Sequence, residues 1–165
     1  RLPSWWRLIG SMNDADKASL KRLSYAFVRR FAFIPIAIPA VSIYNDLLDS
    51  GAGSGADGLA ATRPDFLAAL KSLFAEPSGL ASIDMAMGYA IPEAIMRQAR
   101  SEISLDAGRS TASLLASTLD LYVAPQFQGR ADKHESFLAL VSKHVGEEDL
   151  KGFAGRLAVW TGFVE

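Results

Sequence analysis

The sequence predicts an α/β remnant, the last strands of a parallel sheet, followed by an all-α helical domain, so that the chain is mostly α. Three observations carry this. Two short apolar runs flank a helical stretch near the start, everything after Pro39 has helical spacing, and half of the 165 residues are apolar, enough for a real core. Two strands and one helix cannot close a parallel sheet. The expectation is therefore the end of an α/β domain at residues 1–39, with its earlier strands upstream of Arg1, and helices over 40–165.

Trp5 to Met12 (WWRLIGSM) is short, apolar and ended by the turn-prone Asn13-Asp14-Ala15-Asp16, the pattern of a buried strand. Leu20, Leu23, Phe27 and Val28 then share one helical face while Lys21, Arg22 and Arg29 lie off it, with Asp16 or Ser19 as N-cap. Phe31 to Ile38 (FAFIPIAI) is apolar on both faces, as strands inside parallel sheets are, and Pro35 marks a strand end or edge. Val41 to Leu48 is helical, and Asp49 to Gly58 (DSGAGSGADG) is a flexible glycine-rich loop. Pro64 opens a helix whose Phe66, Leu67, Leu70 and Phe74 share a face. Further helical regions follow at Ile83 to Arg100, interrupted or restarted at Pro92, and at Arg109 to Val123, stopped by Pro125. Phe137 to His144 and Leu150 to Phe163 are the last two, with Glu147, Glu148 and Asp149 placed to suit a helix N-terminus.

Composition excludes several functions. Seventeen basic and eighteen acidic residues give a net charge of −1, which argues against a nucleic-acid platform, as does the lack of a basic recognition helix. There is no cysteine, hence no disulfide scaffold, thiolate metal site or cysteine nucleophile. The longest apolar stretch, Phe31 to Val41, has 11 residues and two prolines, well short of the roughly 20 that a spanning helix needs. No targeting segment is visible, and a cytoplasmic location is expected. The glycine run at 51–58 has no lysine to reach a phosphate, and no apolar strand ends in the Asp-Glu that would hold magnesium. His134 and His144 lack carboxylates at ligand spacing, and no Gly-x-Ser-x-Gly elbow occurs. Trp5, Trp6 and Trp160 read as packing residues rather than base-stacking platforms.

One constellation rises above this background. Ile9-Gly10-Ser11-Met12-Asn13-Asp14-Ala15-Asp16-Lys17 is followed by Ser24-Tyr25-Ala26-Phe27-Val28-Arg29-Arg30-Phe31-Ala32-Phe33-Ile34. A carboxamide at the C-terminal edge of a parallel strand sits where open α/β sheets bind ligands, and can hold a water in line with a phosphate. Two adjacent guanidiniums at a helix end can meet the phosphate of a neighbouring molecule. The plainer alternative is a turn-capping Asn13 and two arginines that complement the helix dipole.

From Trp6 to Ile36 this block resembles the second half of an AAA+ ATPase core, in the branch of McrB-type restriction motors and MoxR-like ATPases. Asp14, Lys17 and Ser24 depart from the pattern usual there. The resemblance implies that Asn13 is the sensor-1 residue and that Arg29 or Arg30 reaches the nucleotide of the adjacent subunit. It also implies a small helical lid after the core. Arg109, in the Gly108-Arg109-Ser110 run that opens a helix, is the candidate sensor-2 residue that couples the lid to the phosphates. The segment Tyr122 to Gly129 (YVAPQFQG) is similar to one found late in restriction-type lids. The implied cofactor is ATP or GTP with Mg2+, used in the full-length protein only, because no phosphate loop or magnesium site lies in this chain. The implied partners are other copies of the subunit in a hexameric ring, the upstream half of the same domain, and a nuclease or effector. A helical interaction or adaptor domain without catalysis is the alternative function.

Overall fold

The chain divides into two units, Arg1–Ala37 and Ile38–Glu165. The computed structural model describes residues 3, 5–7, 9–11, 29–32 and 34–163.

The first unit corrects the expected fold class. Among the described residues there is no strand, neither in the run at 5–11 nor in that at 31–38, so the α/β remnant is not found and the fold is all-helical. The physical reason is that a strand is a pairing. Apolar content alone supplies no ladder partner, and Pro35 removes a donor from the second run. Its described side chains stand in the open, with Ile34 83% and Ile36 95% exposed. Arg29 and Arg30 lie in an exposed turn just before it. The helix expected from Asp16 to Val28 and the Asn13 turn lie outside the described residues. Trp5 and Trp6 are exposed rather than packed.

The second unit opens with α1 (Val41–Ala52), whose Tyr44, Leu48 and Ala52 form one buried stripe at helical spacing. The helix runs through Asp49 to Ala52, where the sequence suggests a loop, and stops at Gly53, whose φ of +81° suits glycine. Gly51 is needed where it stands: a Cβ there would run into the Tyr89 hydroxyl. That hydroxyl donates to the Leu47 carbonyl at 2.9 Å, while the Tyr44 hydroxyl donates to the Met87 carbonyl, also at 2.9 Å. The two tyrosines thus clasp α1 and the 87–89 segment reciprocally. Burial pushes the Tyr44 phenol well above its ordinary range, with Tyr89 adding to the shift.

A short α2 (Leu59–Thr62) leads to α3 (Pro64–Leu70), which has Pro64 in its first turn, where no backbone donor is required. Phe66, Leu67, Leu70 and Phe74 are all buried, as their spacing predicts. The helix ends in a π-helical turn, Lys71–Ala75. Gly79 folds so closely over this turn that a Cβ would collide with the Ser72 and Leu73 carbonyl oxygens. His144 closes the same corner, its Nε2 lying 3.2 Å from Ser72 Oγ.

Burial holds His144 below the ordinary histidine value, and the Lys143 charge lowers it further. The unfolded chain therefore takes up this proton more readily than the folded one. Stability contributed here is complete above the unfolded pKa of about 6.5 and falls as pH drops through it. Between about pH 7.5 and about pH 5.5, His144→Gln is expected to lose less melting temperature than the parent protein. Equal losses would place the pH sensitivity elsewhere.

A 3₁₀ turn, Leu80–Ile83, precedes α4 (Ala90–Leu105). Next come α5 (Thr111–Tyr122), 3₁₀ turns at Ala124–Phe127 and Ala131–Lys133, α6 (His134–Val141) and α7 (Glu147–Thr161). Helix α5 is central and packs on α3, α4 and α7. Its Leu114, Leu115 and Leu119 are fully buried, and the Thr118 hydroxyl escapes an unpaired fate by donating to the Leu114 carbonyl at 2.8 Å. The C-terminal half centres on aromatic rings: Phe127 stacks on Phe137 at 4.3 Å, and Phe153 meets Phe137 edge-on at 5.7 Å. Glu147, Glu148 and Asp149 occupy the first turn of α7, as expected from the helix dipole. Among the described residues no helix is long and apolar enough to cross a membrane.

Candidate functional site

Arg109 sits in the turn joining α4 to α5. The turn forms locally because the Asp106 carboxylate accepts from the Gly108 N–H at 2.9 Å, and because Ser110 caps α5 by accepting from the Ser113 N–H at 3.0 Å. A second arginine braces it from outside: Arg63 donates through Nη2 to the Ala107 carbonyl at 2.7 Å.

The Arg109 guanidinium points back to the last turn of α4. Its Nη1 donates to Glu102 Oε2 at 2.6 Å, and its Nε donates to Ser113 Oγ at 3.3 Å. Glu102 is the hub: Oε2 also accepts from Ser117 Oγ at 2.9 Å, and Oε1 from Gln98 Nε2 at 3.1 Å. The carboxylate is mostly buried, with 12% of its side chain exposed against 32% for Arg109. Two of the five guanidinium donors are used, and Nη2 makes no hydrogen bond among the described residues. This is a planar cation with part of its fork in solvent and the rest tied to an anion that is itself held in three places. Chemically it can accept a second anion, a phosphate oxygen above all.

Of the residues that the sequence singles out, Arg109 is thus placed in a defined polar cluster. Arg29 and Arg30 belong to the first unit and Arg109 to the second. Asn13 lies outside the described residues. Sequence reasoning missed Glu102, Ser117 and Arg63. A glutamate seven positions before an arginine carries no spacing signal, because the intervening turn sets their approach. Arg63 and Ala107 are 44 residues apart.

The histidines each meet a hydroxyl. His134 is buried, with Nδ1 3.0 Å from Thr161 Oγ1 and its ring stacked on Phe163 at 4.2 Å. The Tyr122 to Gly129 segment supplies Phe127 to the core and Pro125 to a shallow apolar groove of about 330 Å³, also lined by Leu121, Val159 and Trp160. Trp160 is 40% exposed there, so it lines a surface rather than filling the core. The Arg156–Asp120 ion pair, 2.6 Å, forms the polar edge of that groove.

Set against protein-family models, curated proteins and solved structures, the chain matches none.

Proposed function

We propose that the chain is the sensor and lid portion of an AAA+ nucleoside-triphosphatase motor subunit, one that assembles with other copies of itself into a ring and remodels DNA or a protein complex. The observation that carries this is the ordered run from Ile9 through Asn13 to Arg29-Arg30, followed by an all-helical unit that presents a part-exposed arginine at the start of a central helix. In this role Asn13 orients the attacking water, Arg29 or Arg30 acts on the neighbouring subunit's nucleotide, and Arg109 meets the phosphates. ATP or GTP supplies the phosphoryl group, and the Arg109 fork fits a phosphate oxygen. Among the described residues no group of three or more histidine or acidic side chains could hold a metal ion, so Mg2+ has no site to be drawn there. The phosphate loop of such a motor belongs upstream.

The test is Asn13→Ala in the complete motor subunit. A water-positioning group acts in the transition state, so turnover is expected to fall roughly tenfold or more while nucleotide Kd stays within about twofold. Equal losses in binding and turnover would make Asn13 a structural turn residue.

A second function, a non-catalytic interaction or adaptor domain, is favoured by one observation. Leu121, Val159 and Trp160 are exposed together around the groove beside Pro125. A complete subunit that neither binds nor hydrolyses nucleotide would decide for it.

A further inference from the structure

We infer that Glu102 is a positioning residue that holds Arg109 in a parked state, and that nucleotide phosphate must displace this carboxylate for Arg109 to engage. The inference rests on the motor function proposed above. It goes further by naming what Arg109 does without nucleotide and what sets the cost of its release.

The geometry carries it. Glu102 is anchored independently of Arg109, by Gln98 one turn back on α4 and by Ser117 on α5, whose single hydroxyl proton it shares with the Leu114 carbonyl at 3.0 Å. It therefore stays in place when Arg109 leaves. Arg109 is less constrained: beyond Glu102 it has a longer bond to Ser113, and a third of its side chain is exposed. The mobile partner is the cation. The fixed partner is a mostly buried anion that keeps two hydrogen-bond donors after the exchange, so its charge is not left bare. A phosphate oxygen offers the same planar fork an equivalent charge-assisted bond. Nucleotide binding through Arg109 is therefore a competition, and the observed affinity is the intrinsic affinity reduced by the fraction of released arginine.

Glu102→Gln isolates this. The amide keeps the carboxylate's shape. With its carbonyl toward Ser117 and Arg109 and its NH₂ toward Gln98, whose own amide can flip, it keeps the hydrogen bonds and loses the charge. In the complete motor subunit, nucleotide Kd is expected to tighten roughly three- to tenfold, with kcat changed much less. In the Arg109→Ala background the same substitution is expected to leave Kd unchanged, because there is nothing left to release. A melting curve of each variant verifies the fold. If Arg109→Ala weakens nucleotide binding but Glu102→Gln does not tighten it, the parking role falls while the sensor role of Arg109 stands. If Glu102→Gln tightens Kd equally with and without Arg109, the effect is general charge and the parking role again falls. If the complete subunit binds no nucleotide and neither variant changes that, the motor function itself fails and the parking role with it.

Discussion

An Arg29→Ala/Arg30→Ala subunit with an intact phosphate loop is expected to regain hydrolysis when mixed with a subunit that lacks the loop but keeps both arginines. Each preparation alone is expected to be inactive. A guanidinium delivered across an interface to a phosphoryl transfer is worth roughly 10³–10⁵ in rate, so the recovered signal stands far above background. Recovery arises because one kind of mixed interface then holds an intact loop on one side and the arginines on the other. The exposed position of Arg29 and Arg30 in a turn is compatible with reaching outward. The measurement is steady-state hydrolysis over a titration of the two variants, with ring assembly followed in parallel. Rings that assemble without activity would show that the arginines serve their own chain.

The largest effect on stability is expected at Phe137. Its ring is fully buried between the stacked Phe127 and the edge-on Phe153, and it joins three elements that are separate in sequence. Phe137→Ala removes the ring's transfer energy and leaves a cavity between Phe127 and Phe153, a cost of about 3–5 kcal/mol. Against a total stability of roughly 5–15 kcal/mol, that is a large share. Urea unfolding followed by circular dichroism is the check, with Phe137→Leu as the milder comparison at about 1 kcal/mol. If the alanine variant lost less than about 1 kcal/mol, the three rings would not be the centre of this half of the fold.

Much of the helical unit was legible because its signals are local. Pro64 with Phe66, Leu67, Leu70 and Phe74 states a start and a face within three turns, and each of these side chains is buried. The acidic run at 147–149 marks the start of α7 in the same way. Where the deciding contact is distant, the sequence misled. Asp49 to Ala52 looks like a loop from its small residues, yet α1 continues to a buried Ala52, and Gly51 leaves the room that the Tyr89 hydroxyl occupies. The two expected strands failed for the complementary reason: hydrophobicity was legible, a pairing partner was not. At the site, Arg109 was visible as a residue opening a helix, but its tie to Glu102 depends on how the 106–110 turn folds back, which no periodicity encodes.

The reciprocal tyrosine clasp has a mechanical consequence. Each hydroxyl bonds the backbone of the other's segment, so α1 and the 87–89 segment are joined at two points rather than one. A single bond would act as a pivot; two crossed bonds fix both the spacing and the twist of the pair. The start of α4 is thereby fixed against α1 from both sides of the contact. The opening helix is held to its neighbour by its own side chains, and not by the connecting chain alone.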